Sequence, residues 1–150
     1  HDWHVRFIEL MPIGNVQDLR EDFPTSSDRY VSVHEMQSRL SDFGLQFEHA
    51  VVGNGPARTF RIPGARGTVG FISPLGEHFC ESCNRLRLTA DGKLRPCLDR
   101  SNEVSLREAL RSGQDLEDYY RQAILNKPQH HNMLASITNG IYRGMSQIGG

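Results

Sequence analysis

The chain has 150 residues, 37% hydrophobic and 23% charged, with a formal net charge of -1. That length holds a sizeable core but not a complete α/β barrel of roughly 250 residues, and the composition is that of a folded, somewhat polar protein. A near-zero net charge excludes a global basic field for nucleic acid or anionic lipid, so any anion binding has to be local.

No apolar run approaches the about 18 residues of a membrane span, and the first residues lack the basic and apolar regions of a signal peptide. The chain holds 3 cysteines. An odd number fits free thiols in a reducing compartment, and a cytoplasmic protein is expected.

Taken in order, Val5-Arg6-Phe7-Ile8-Glu9-Leu10-Met11-Pro12 reads as a strand running into a loop. Its abrupt start points to a larger sheet. Residues 12–28 are loop-like. Ser32-Val33-His34-Glu35 forms a capping box, and Val33, Met36, Leu40 and Phe43 continue an amphipathic helix until Gly44. Strands are expected at Leu45–Val52, around Thr59–Ile62 and at Thr68–Ile72, with a turn at Gly53-Asn54-Gly55-Pro56. Their connections are too short for helical crossovers, so they read as an antiparallel set. Gly53-Asn54-Gly55 lacks the Lys-Ser/Thr and following helix of a phosphate loop and reads as a plain turn.

Ser105-Leu106-Arg107-Glu108 is a second capping box, opening a helix with Leu106, Ala109 and Leu110 inward and Gly113 past its end. Asp115 caps another helix, whose stripe of Leu116, Tyr119, Tyr120, Ala123 and Ile124 ends near Lys127-Pro128. Both stripes read as core. Residues 129–150 are polar with little periodicity. His130-His131 read as solvated, and His34 and His49 as isolated side chains.

The chemistry concentrates at Cys80-Glu-Ser-Cys83, followed after thirteen residues by Cys97. Thiolates are soft ligands for zinc or iron–sulfur clusters, and a Cys-x2-Cys step brings two sulfurs to one centre from a tight turn. Cys97 returns on a hairpin around Ala90-Asp91-Gly92. A two-residue turn mixes polar and apolar side chains on both faces. A three-residue loop with left-handed Gly92 pairs Thr89 with Lys93, Arg87 with Arg95 and Arg85 with Cys97, and puts Leu86, Leu88, Leu94, Pro96 and Leu98 on the other, buried face. Arg85, Arg87 and Arg95 then share the sulfur ligand's face. Guanidiniums so close repel one another without an anion, which predicts a polyphosphate or cluster pocket. Spacing leaves two metal readings open: zinc with His78 as fourth ligand, or a cubane cluster with one open iron.

The run from Phe79 to Leu98 closely resembles the C-terminal cluster segment of the MoaA family of GTP 3',8-cyclases of molybdenum cofactor biosynthesis. So do Val5–Met11, Lys127-Pro128 and the terminal Met145-Ser146-Gln147-Ile148-Gly149-Gly150. The resemblance implies a radical S-adenosylmethionine enzyme with two [4Fe–4S] clusters that converts GTP to 3',8-cyclo-7,8-dihydro-GTP. Cys80, Cys83 and Cys97 would hold the C-terminal cluster, Arg85, Arg87 and Arg6 would contact GTP, Met11 would lie near S-adenosylmethionine, and the Gly149-Gly150 tail would reach into the active site.

The implied fold is α+β: a terminal strand and helix of an incomplete TIM-type barrel, then an antiparallel sheet with helices carrying the cysteine site. Residues 1–150 would be a single C-terminal domain, 1–24 derived from the barrel and 25–150 binding cluster and GTP. The implied partners are GTP, the missing barrel, a second copy in a homodimer and the next enzyme of molybdopterin biosynthesis, with no nucleic acid and no membrane. The chain lacks the family's Cys-x3-Cys-x2-Cys motif for S-adenosylmethionine cleavage, so alone it is expected to be inactive. The alternative is a non-catalytic nucleotide-binding module loaded with zinc or a cluster.

Overall fold

A computed structural model describes residues 2–11, 30–48, 55–133, 143 and 147–148. These fall into two compact units, residues 2–11, 30–48 and 55–82 in the first and residues 83–133, 143 and 147–148 in the second.

The first unit is a mixed sheet with one helix. Its elements are β1 (His4–Ile8), α1 (Val33–Arg39), β2 (Gln46–Phe47), β3 (Arg58–Arg61) and β4 (Thr68–Ile72), with strand order β1-β4-β3-β2. β2, β3 and β4 pair antiparallel, as their short connections predict, whereas β1 runs parallel to β4 with Arg6 opposite Gly70. A parallel pair needs a crossover, and the chain between β1 and β4 supplies α1, β2 and β3. β4 is inside the sheet and almost fully buried, while β1, at an edge, leaves Val5 42% and Ile8 49% exposed.

Val33, Val69 and Phe71 form the core, with Phe7, Met36, Leu40 and Phe60 packed around them. Phe7 stacks on Phe71 and Phe60 meets it edge-on, geometries that suit the quadrupoles of aromatic rings. Ser32 caps α1 as expected, its hydroxyl accepting from Glu35 N at 3.2 Å. The α-helix ends sooner than its apolar spacing suggests: Ser41–Phe43 tighten into a 3-10 turn before left-handed Gly44, and Phe43 is left exposed. Of the strand expected at Leu45–Val52, β2 is Gln46–Phe47; residues 49–54, including Gly53 and Asn54 of the expected turn, lie outside the described residues.

The second unit is a three-stranded antiparallel sheet backed by two helices: β5 (Arg87–Leu88), β6 (Lys93–Arg95), β7 (Val104–Ser105), α2 (Leu106–Arg111) and α3 (Leu116–Leu125). β7 is an addition to the strands read from sequence, pairing Val104 with Leu94. Leu94, Val104, Leu106 and Ala123 form the core, with Leu86 and Tyr119 against it.

Both helix caps are as expected, Ser105 Oγ accepting from Glu108 N and Asp115 Oδ1 from Glu117 N. The helical stripes are buried more narrowly than their spacing predicts. Leu110 (68%), Tyr120 (43%) and Ile124 (56%) are exposed, while Ala109 and Ala123 are sealed. A short three-stranded sheet covers only a thin strip of each helix, and the smallest side chains allow the closest approach. Among the described residues no helix is long and apolar enough to cross a membrane.

Candidate metal and anion site

The hairpin takes the three-residue loop. Arg87 opposes Arg95 and Leu88 opposes Leu94, and Thr89 N donates to Lys93 O at 2.8 Å. Gly92 has φ 79°, and a Cβ there would come within 2.8 Å of Arg107 Cβ, so only glycine fits. The expected pairing of Arg85 with Cys97 does not extend the ladder, whose last pair is Arg87 with Arg95. Leu94, Pro96 and Leu98 are buried, but Leu88 is 59% exposed, contrary to its expected place in the core.

The loop itself is an ionic knot. Asp91 receives both Arg143 nitrogens, at 2.7 and 3.0 Å, and the Thr89 hydroxyl at 2.6 Å. Arg143's hydrogen bonds, then that of Thr89, hold the Asp91 carboxyl well below the usual carboxylate range. Glu103 gathers Arg95, Arg143 and Lys93 at 3.3, 3.2 and 3.7 Å.

Arg95 therefore differs from its expected role as a third pocket cation. Its side chain is 4% exposed and spends its donors on Glu103, Cys97 O and Leu98 O. Arg87, half-buried, has no carboxylate partner among the described residues. Burial and the Arg85 charge push its guanidinium down, opposed by Cys83 and Cys97, with Arg95 adding a smaller push downward. A desolvated cation beside a second cation lacks an anion.

Lys127 was read from sequence as a helix boundary and, with Pro128, as part of the family resemblance, with no role at the cysteines. Its Nζ donates to Arg85 O at 2.7 Å and Pro96 O at 3.0 Å and lies 3.5 Å from Cys83 Sγ. Nothing local in the sequence marks a lysine past one helix as the partner of two strand ends some 30 to 40 residues away.

In the first unit, Cys80 opens a 3-10 turn, Cys80–Ser82, at the end of a loop organised by Glu9. Glu9 is 1% exposed. One of its oxygens accepts from Ser73 Oγ (2.9 Å), Leu75 N (3.1 Å) and Gly76 N (3.0 Å), the other from Val33 N at 3.0 Å. Burial acts to raise this carboxyl, but the Gly76, Val33, Ser73 and Leu75 hydrogen bonds outweigh it and hold Glu9 below its ordinary value. Sequence reading placed Glu9 in the strand alternation and missed this role. A lone glutamate closing an apolar strand, five residues before Gly14, was the available signal.

A cleft of about 540 Å³ adjoins the loop, lined by Arg58, Phe71, Glu77, His78, Phe79 and Ser82 among others, with Arg58 ion-paired to Glu77. Arg6 lies across Gly70, where a Cβ would sit 2.6 Å from its Cδ, and donates to Thr68 Oγ1 at 3.1 Å. Met11 is half-buried. Gly149 and Gly150 lie outside the described residues.

None of the three cysteines is in a disulfide and all are half-buried, with Cys80 in the first unit and Cys83 and Cys97 in the second. Among the described residues no three His, Cys, Asp or Glu side chains gather as a metal-binding group. His78 Nδ1 is 3.1 Å from Pro74 O. The donor chemistry fits a soft, thiolate-bound group: three sulfurs outside disulfides, with the Lys127 ammonium at one and Arg87 within electrostatic reach of two.

Residues 3–133 match the family model described as Molybdenum Cofactor Synthesis C. The chain is 46% identical to a GTP 3',8-cyclase of Heliobacterium modesticaldum, over 98% of this chain and 45% of that protein. It is 45% identical to the GTP 3',8-cyclase of Moorella thermoacetica, over 98% of this chain and 44% of that protein. With the enzyme of the same name from Microcystis aeruginosa it shares 46% identity, over 99% of this chain and 45% of that protein. The chain thus spans a little under half the length of these relatives.

Proposed function

The chain belongs to the Molybdenum Cofactor Synthesis C family, and from that premise we propose that it is the substrate-binding, C-terminal part of a GTP 3',8-cyclase. The observation that carries this reading is Arg87: a half-buried guanidinium with no carboxylate partner among the described residues, beside Arg85 and within electrostatic reach of Cys83 and Cys97. Arg85 and Arg87 receive the anionic part of GTP, because forked donors on a partly desolvated surface favour phosphate over water. Cys80, Cys83 and Cys97 hold a [4Fe–4S] cluster, and such a cluster with three thiolates supplies an open iron to which a guanine atom can bind.

The paired Arg95 takes a different part. Anchored on Glu103 and two carbonyls, it stiffens the strand that leads to Cys97. β1 is the last strand of a radical S-adenosylmethionine barrel; its edge position and exposed Val5 and Ile8 suit a neighbouring strand, and it carries Arg6 toward substrate and Met11 toward S-adenosylmethionine. The 150 residues hold no Cys-x3-Cys-x2-Cys, so radical generation requires the barrel and the chain alone is inactive.

The test is GTP affinity of the anaerobically reconstituted protein with its natural flanking sequence. Arg87→Ala removes a charge-assisted contact of about 1.5–3 kcal/mol, a loss of roughly tenfold to a hundredfold. Unchanged affinity in both Arg87→Ala and Arg85→Ala overturns the pocket. One zinc per chain without acid-labile sulfide overturns the cluster.

A further inference from the structure

The two strands that lead to Cys83 and Cys97 stop pairing at Arg87 and Arg95. Beyond that pair they are joined by a side chain from elsewhere. Lys127 Nζ donates to Arg85 O at 2.7 Å on one strand and Pro96 O at 3.0 Å on the other, and its remaining near neighbour is Cys83 Sγ at 3.5 Å. An ammonium has three N–H donors, and here each faces one acceptor. Its backbone is fixed just past α3, where Lys127 N donates to Ile124 O at 3.1 Å.

We propose that Lys127 is a positioning residue of the thiolate site: its ammonium ties the carbonyl two residues after Cys83 to the carbonyl just before Cys97, and sets a fixed positive charge against the Cys83 sulfur. This rests on the reading of Cys80, Cys83 and Cys97 as cluster ligands. Arg87 has a different task. It is half-buried, has no carboxylate partner among the described residues, and is the residue read above as receiving the substrate anion. Lys127 is saturated by the protein and acts on the ligand atom itself.

Two consequences follow from that placement. The carbonyl tie fixes the separation of two ligand-bearing segments that the sheet no longer controls. The charge stabilises whichever state of a thiolate-bound cluster is more negative, which is the reduced one. Hydrogen bonds to sulfur and net charge are the terms that set cluster potentials. A lysine that merely satisfied two carbonyls would affect stability and leave the potential alone.

The experiment uses the anaerobically reconstituted protein with its natural flanking sequence. The C-terminal cluster is first identified as the reduced-state paramagnetic signal and iron that Cys97→Ala removes. Its midpoint potential is then measured in Lys127→Met and Lys127→Arg. Lys127→Met is expected to keep the iron and shift the reduction equilibrium about tenfold toward the oxidised state, 59 mV for one electron. Lys127→Arg, keeping charge and donors, is expected to recover at least half of that shift. If Lys127→Met loses the iron, recovery of iron in Lys127→Arg supports the proposal and absence of recovery overturns it. Wild-type iron and potential in Lys127→Met overturn it while leaving the cluster reading intact. If Cys97→Ala removes neither signal nor iron, the cluster reading fails and the proposal falls with it.

Discussion

Each unit arranges its cysteine-bearing segment around buried or half-buried acids, but the acids are satisfied in opposite ways. In the first unit Glu9 is stabilised as a carboxylate by hydrogen bonds: backbone N–H groups from Val33, Leu75 and Gly76 and the Ser73 hydroxyl surround it. In the second, Asp91 and Glu103 gather Arg95, Arg143 and Lys93. Backbone donors are fixed in direction and buried from salt. Long cationic side chains are screened at the surface and pay rotamer entropy when held. The first arrangement specifies loop shape; the second balances charge around a basic hairpin.

The largest effect is expected where the contrast is sharpest. Glu9→Ala strands several buried donors at once, and with unmade bonds costing about 1–3 kcal/mol apiece it should lower unfolding free energy in urea by at least about 3 kcal/mol. A loss below about 1 kcal/mol would mean that water replaces the carboxylate, and the loop does not depend on it. Leu94→Ala, in the core of the second unit, should cost about 2–5 kcal/mol in the same assay.

Acid sharpens the comparison. Glu9 has a folded-state value below its ordinary 4.5, so its contribution is fully present above about that pH and is lost as pH falls through the lower folded value. The stability gap between the wild type and Glu9→Gln should therefore narrow below about pH 4.5. A gap constant down to about pH 3 would exclude ionisation of Glu9 as its source.

Salt then separates the two units. Asp91 and Arg143 are partly exposed, so the destabilisation by Asp91→Ala should shrink at about 1 M salt, where the screening length is about 3 Å, whereas that of Glu9→Ala should not. The smallest effect belongs to Leu88→Ala, within about 0.5 kcal/mol, because its side chain is 59% exposed. A loss above about 2 kcal/mol would restore Leu88 to the core that the strand alternation assigned it.

Local chemistry was the most legible part of the chain. The caps Ser32, Ser105 and Asp115, the left-handed glycines Gly44 and Gly113, and the hairpin register as far as Arg87 with Arg95 follow from interactions spanning a few residues and appear as read. What escaped depends on distant partners. Arg95 and Arg87 are equivalent in the alternation, yet Glu103 claims one and leaves the other without a carboxylate among the described residues. Leu110 and Ile124 fit an apolar stripe, but how wide a stripe is covered depends on the size of the facing sheet. The spacing of the three cysteines and flanking arginines was legible as a sequence pattern, although among the described residues the cysteines do not gather as a metal-binding group. Lys127, whose side chain joins two segments remote in sequence, was not.

The close approach of Arg107 to Gly92 gives the cysteine spacing a further meaning. Arg107 N also donates to Gly92 O at 3.0 Å, so the hairpin tip is clamped to the first turn of α2. One residue added to or removed from the loop would have to break that clamp or slip the ladder, and slippage would send Arg87 and Arg95 to opposite faces. The interval between Cys83 and Cys97 is thus a ruler whose length is set from outside, by a helix that carries none of the three cysteines.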